Sequence, residues 1–245
     1  MEPPRAKIIS RQEKIKDILG NLGIAGETVA PSAARTIEEL THLGIVKEYS
    51  TIVAVGSEAI ANKVITALMG QKNLQNIVLG VIPDNFDSQI AKMIGANDLY
   101  TACEALKTRR LKTFDLCHLE PNKYFLTQGS IETFRNQEIY FSIDDAKGKT
   151  LTNQIIIKPG LKMNIYDKTY TGKTPRRFFN WLFGKKEKDI YTSYFHSKRI
   201  RLEAENANHA FKVANETIAK TPVTIHNRNK ALKIIVARDK IKSKD

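Results

Sequence analysis

The stretch I-V-A-V-G-S-E-A-I-A-N-K-V at 52–64 restricts the possible folds of this chain more than any other. Its first four residues, Ile52-Val53-Ala54-Val55, form an apolar run with strand character, and Gly56 stops that run abruptly. A helical period follows at once, with Ile60, Val64, Ile65 and Leu68 on one face. A strand, a tight turn of small residues and a helix, in that order, aim backbone N–H groups and a helix dipole at a phosphate.

The same alternation extends over the first half. Helices are predicted over 11–22, where Ile15, Ile18, Leu19 and Leu22 make an apolar stripe, and over 33–43, with Ser32 as N-cap. Further helices are predicted over 59–69, 88–94 and 98–108, and strands over 28–30, 51–55, 76–82, 111–116 and 124–127. Such repeated units argue for a mostly parallel sheet with helices on both faces. Beyond this, runs at 138–143, 154–158, 161–166, 198–203, 222–226 and 231–236 read as antiparallel strands. Gly148, Pro159-Gly160, Gly172 and Asn206-Ala207-Asn208 supply the breaks between them. The expected class is therefore α/β. A parallel-sheet, nucleotide-binding-type lobe over 1–130 precedes a β-sandwich-like lobe over 131–245, with the boundary near 129–133.

Charge narrows the partners. Lys plus Arg is 39 against 26 for Asp plus Glu, a net charge of +13. Such a balance favours polyanions: nucleic acid, an anionic lipid surface or a phosphorylated ligand. No window offers the roughly 20 apolar residues of a membrane span, and Met1-Glu2-Pro3-Pro4-Arg5 lacks the apolar core of a secretory signal. Cys103 and Cys117 lack metal-ligand spacing and suggest a reducing compartment, so the expected location is cytoplasmic, with peripheral membrane attachment as an option. His42, His118, His196, His209 and His226 show no ligand spacing either.

The 52–64 stretch resembles the G-G-D-G-T-I-N-E-V motif of the diacylglycerol kinase and related lipid kinase family. Gly56, Asn62 and Val64 are kept, while Ser57, Glu58, Ala59 and Ile60 stand where that motif has glycine, aspartate, glycine and threonine. Leu79-Gly80-Val81-Ile82-Pro83 resembles L-G-I-I-P, and Asn85 to Lys92 followed by Ile94-Gly95 takes the place of its G-T-G-N-D-F-A-R and L-G continuation. Phe114-Asp115-Leu116, Tyr124-Phe125-Leu126, Val213-Ala214-Asn215-Glu216 and Lys230-Ala231-Leu232-Lys233-Ile234-Ile235-Val236 resemble later motifs, in family order across most of the chain. The family's first strand with its N-P-x-x-G turn is missing, and 6–10 is a poor substitute.

The resemblance implies transfer of the ATP γ-phosphoryl group to a lipid hydroxyl with magnesium. It implies nucleotide contacts at Thr28, Gly56, Ser57, Glu58, Ala59, Ile60 and Asn62, and a general base at Glu216. It makes the motif's aspartate, replaced here by Glu58, part of a metal and phosphate network, and leaves the metal ligands of this chain unassigned. Glu58 lengthens the family aspartate by one methylene, a displacement of about 1 Å that can cost roughly 10²-fold in rate. Ile60 removes a hydroxyl, and Phe86 and Asp87 replace a threonine and a glycine of the second loop. The expectation is a lipid-kinase-like protein whose transfer is weak or lost, with ATP and Mg2+ as cofactors if it is active. The alternatives are a pseudokinase that binds nucleotide or an anionic lipid surface, and a nucleic-acid-binding protein.

The stretch at 173–188 concentrates the single tryptophan among phenylalanines and basic residues. As a helix beginning near Pro175 it would set Phe178, Trp181 and Leu182 on one side, with Arg176, Arg177, Lys185 and Lys186 supplying charge. An interfacial membrane helix has this composition. So do a helix docked on the β-rich lobe and an aromatic platform for bases, although no nucleic-acid motif accompanies it.

Overall fold

The computed structural model describes residues 4–71, 77–166, 192–204 and 208–238. The chain forms two compact units, Met1–Phe114 with Lys230–Asp245, and Asp115–Asn229. Residues 129–133, where composition suggests a boundary, lie in one strand of the second unit.

The first unit contains α1 (Pro4–Asn21), α2 (Ile37–Val46), β1 (Thr51–Gly56), α3 (Glu58–Met69), β2 (Val78–Pro83), α4 (Gln89–Ile94) and α5 (Leu99–Thr108). β1 and β2 are parallel, in a register that runs from Thr51 opposite Val78 to Gly56 opposite Pro83. On its other side β2 is parallel to the end of β12 (Val223–Ile235), with Ile234 opposite Leu79. Every residue of β2 is buried, which explains its unbroken apolar run, as expected for a parallel strand covered on both faces. Ile65 and Leu68 of α3, Leu79 and Ile82 of β2 and Ile90 of α4 are fully buried.

Local chemistry sets the helix starts. The predicted helix at 33–43 begins later, at Ile37, because Thr36 and Glu39 form a reciprocal capping box. Thr36 N–H donates to Glu39 Oε2 at 2.7 Å and Glu39 N–H to Thr36 Oγ1 at 3.1 Å, which satisfies otherwise orphaned donors. Ser32 instead closes a short turn with Arg35. The predicted helix at 11–22 begins already at Pro4, and proline suits a first helical position because its missing N–H would have no partner there. Residues 6–10 are therefore helical, and the predicted strand at 28–30 has no regular structure.

The second unit is antiparallel. It holds the end of β3 (Leu111–Leu119), then β4 (Lys123–Phe125), β5 (Gly129–Ile143), β6 (Ala146–Lys158), β7 (Lys162–Tyr166), β8 (Thr192–His196), β9 (Arg199–Ala204), β10 (Ala210–Val213), β11 (Glu216–Lys220) and the start of β12. β5 pairs with β6, β9 and β10, β6 with β7, β7 with β8, and β9 with the start of β12. Ile131, Ile139, Ile155, Ile157, Met163, Ile200, Leu202, Phe211 and Ile225 from these strands close one core. Phe125 and Phe211 meet there with ring centroids 5.8 Å apart and planes tilted by 52°. The α/β class, with parallel strands first and antiparallel strands after, is the one read from the sequence.

Phe211→Ala empties the centre of the antiparallel core. Chemical denaturation is expected to show a loss of about 3–5 kcal/mol; a loss below about 1 kcal/mol would mean the core closes without this ring.

Candidate functional site

β1 ends at Gly56 with φ +133, a backbone that L side chains rarely adopt. A Cβ at this position would stand 2.7 Å from Ile60 Cδ1, so the isoleucine side chain closes over the glycine. Ser57 is the N-cap of α3, and its Oγ accepts from Ile60 N–H at 3.4 Å. The neighbouring strand end is tied in directly, since Asp84 N–H donates to Gly56 O at 2.9 Å.

Glu58, in the first turn of α3, reaches across to α4. Its Oε1 accepts from Ile90 N–H at 3.0 Å, while the N-cap of that helix, Ser88, takes Ala91 N–H at 3.3 Å. A carboxylate at a helix start satisfies an orphan donor and meets the positive end of the dipole. The loop between β2 and α4 has its own restraints. Asn85 Oδ1 accepts from Asp87 N–H at 2.8 Å, a local turn of the kind asparagine makes. Arg11 of α1 donates from Nη2 to Pro83 O at 2.8 Å and from Nη1 to Asp84 O at 2.9 Å. Its guanidinium also lies 6.0 Å from the Phe86 ring centroid, within cation–π range.

Gly56, Ser57, Glu58 and Ile60 are thus gathered at one junction, facing the Pro83–Asp87 loop. Ala59 and Asn62 are turned inward and buried. Thr28 is exposed, in the stretch without regular structure. Glu216 belongs to the second unit. It opens β11 and pairs with Val213 across a turn whose central residues, Ala214 and Asn215, have φ 50 and φ 65; two such residues make a tight hairpin turn. Arg176, Arg177, Phe178, Trp181, Lys185 and Lys186 lie outside the described residues.

Sequence reasoning missed Arg11. No local pattern identifies a side chain that fastens carbonyls 72 and 73 positions away. It also missed a cluster in the second unit. His118 stacks on Tyr124 at 4.4 Å, Arg228 approaches His118 Nδ1 at 3.4 Å, and His226 Nε2 meets Glu120 Oε1 at 2.5 Å. Burial, and then the neighbouring Arg228 and His226, hold the His118 pKa below its ordinary value, while the backbone acceptor at Pro121 opposes them. The His226 hydrogen bond lowers that of Glu120. Among the described residues no group of three or more His, Cys, Asp or Glu could hold a metal ion. Also among them, no helix is long and apolar enough to cross a membrane.

No protein-family model matches the chain, and no curated protein sequence does. Solved structures do. A diacylglycerol kinase of Bacillus anthracis str. Sterne superposes with a TM-score of 0.70 at 14% identity, covering 93% of this chain and 91% of its own. A second structure from that organism, described as a "putative diacylglycerol kinase", gives a TM-score of 0.66 at 11% identity over 82% of this chain and 83% of its own. The chain therefore has the fold of these kinases.

Glu58→Ala leaves Ile90 N–H without its acceptor. A stability loss of about 1–3 kcal/mol is expected, with most of it recovered in Glu58→Gln, whose amide oxygen still accepts. Denaturation of Glu58→Ala at the wild-type midpoint would show that the bond carries nothing.

Proposed function

We propose that this chain is a lipid-kinase-like protein in which ATP-dependent phosphoryl transfer to a lipid hydroxyl is weak or lost. The fold shared with the Bacillus anthracis kinases supports the first half of that reading. The bond from Ile90 N–H to the Glu58 carboxylate supports the second.

Phosphoryl transfer depends on positioning and on neutralising charge. MgATP would bring that reaction its phosphoryl donor and its metal. The side chains at the β1–α3 junction do not fit the magnesium and phosphate network that the resemblance implies. Glu58 stands at the motif's acidic position, yet its carboxylate serves α4. Ile60 supplies a hydrocarbon cover where the motif has a hydroxyl. In the second loop, Asp87 adds an exposed carboxylate, which repels phosphate unless a cation intervenes. We take Glu216 as the one remaining candidate base.

The partner we favour is an anionic lipid surface. The net charge of +13 and the basic aromatic stretch at 173–188 support it, as does a fold shared with proteins named for a lipid substrate. Peripheral attachment from the cytoplasmic side fits this partner.

The test is transfer of label from γ-labelled MgATP into mixed-lipid vesicles. The expected result is no label in the lipid, or label entering it far more slowly than with an active lipid kinase run alongside. Turnover at the rate of that active kinase, vanishing in both Glu58→Ala and Glu216→Ala, would overturn the proposal and make the junction a working kinase site.

A further inference from the structure

β1 pairs with β2 on one side, and among the described residues no strand pairs with it on the other. Backbone geometry fixes which groups that open edge presents. Ser50 O accepts from Val78 N–H at 3.0 Å and Gly56 O from Asp84 N–H at 2.9 Å. Successive residues of an extended strand turn their N–H and C=O to opposite sides, so the even-numbered residues face β2. Thr51, Val53 and Val55 therefore turn their backbone donors and acceptors outward. Val53 and Val55 are also 37% and 40% exposed. A Cβ on Gly80 would meet Leu106 Cδ2 at 2.5 Å and Val53 Cγ2 at 3.2 Å, so α5 covers β2 and leaves Val53 at its margin.

Proteins usually blunt an edge with charge, proline or a bulge. Residues 51–55, Thr-Ile-Val-Ala-Val, have neither charge nor proline, and their register against β2 runs without a slip. Leu43 and Val46 of α2 and Tyr49, just before β1, add further exposed apolar surface.

This edge is complementary to itself. Its three outward-facing residues are symmetric about Val53, so a two-fold axis there pairs Val53 with the partner's Val53. Thr51 then meets the partner's Val55, and Val55 the partner's Thr51. Each is a hydrogen-bonded antiparallel pair that exchanges two bonds, and every outward N–H and C=O of both strands is used. Threonine and valine suit such cross-strand pairs. The flanks match in charge as well. Arg109 Nη2 lies 3.5 Å from Ser50 O at the start of β1, and Asp84 is tied to Gly56 at its end. Both residues are exposed. The two-fold sets Ser50 opposite the partner's Gly56, which brings Arg109 toward the partner's Asp84. Two strand spacings of about 4.8 Å separate them, within about one Debye length at 0.1 M salt. Glu48 at the first end and Arg11 at the second reduce this contrast, and the exposed Arg110 and Asp87 restore it.

We propose that the chain associates with a second copy of itself through β1, as an antiparallel pair centred on Val53 that joins two sheets edge to edge. The pairing involves neither nucleotide nor lipid. Because it consumes both edges, it stops at two copies.

The test is the mass of the full chain in solution, by sedimentation equilibrium at micromolar concentrations. The expected mass is twice that of one chain and constant as concentration rises further. Val53→Lys puts two ammonium groups beside the axis and is expected to weaken association roughly tenfold or more; urea unfolding checks that this variant folds. Val53→Cys probes the same contact without a charge. Cα atoms of a hydrogen-bonded pair stand about 5.5 Å apart, inside the disulfide range. Mild oxidation is expected to yield a covalent dimer from it, far faster than from Phe134→Cys, a thiol exposed in the second unit. Cys103 and Cys117 are buried and give little background. A single-chain mass for the wild type, or a mass that climbs without limit, would overturn the proposal. So would a folded Val53→Lys that remains dimeric, or Val53→Cys that crosslinks no faster than Phe134→Cys.

Discussion

Parallel pairing of β1 with β2 puts Gly56 beside Pro83, and the chemistry of the candidate site follows from that placement. In a parallel sheet the carboxyl ends of neighbouring strands emerge together, where ligands of α/β proteins usually bind. Here the two turns that emerge bind each other. Asp84 N–H is bonded to Gly56 O, Ile90 N–H to Glu58, and Arg11 bridges the carbonyls of Pro83 and Asp84. Gly56 O, Ile90 N–H and the carbonyls of Pro83 and Asp84 are thereby occupied within the protein. Glu58 and Ile60, which stand where the resembled motif has aspartate and threonine, both have structural roles here: Glu58 accepts from Ile90 N–H and Ile60 covers Gly56.

A carboxylate at the start of α4 has a clear physical rationale. Helix N–H groups at the first turn require acceptors, and α4 draws on Ser88 and Glu58 for two of them. One methylene more than aspartate gives Glu58 the length to reach a neighbouring helix. The residue that looks, in the sequence, like an imperfect metal ligand is well suited as a brace between helices.

The sequence made some of this legible and left the rest hidden. β1, the glycine stop and α3 were readable because their signals are local: an apolar run, a turn residue and a helical period. The start of α2 was misplaced because Ser32 looked like a sufficient cap, whereas Thr36 with Glu39 satisfies donors in both directions. Runs at 222–226 and 231–236 read as separate strands because the polar stretch Asn227-Arg228-Asn229-Lys230 interrupts the apolar pattern, yet they form the single strand β12. Strands β8 and β11, Thr-Ser-Tyr-Phe-His and Glu-Thr-Ile-Ala-Lys, are mostly polar and present no apolar run, and β10 has only four residues. The register slip of β5 against β6 between Glu132 and Gln137 and the Arg11 bridge are products of strand pairing and tertiary contact, which no local window contains.

The central claim is that the β1–α3 junction is closed by its own side chains. Amide hydrogen exchange at 56–60 and at Ile90, with and without millimolar MgATP, tests it most directly. The account predicts unchanged protection at both places, because Glu58 keeps Ile90 N–H and no phosphate displaces it. Loss of protection at Ile90 together with a gain across 56–60 would contradict it, showing that Glu58 releases the helix to admit a nucleotide.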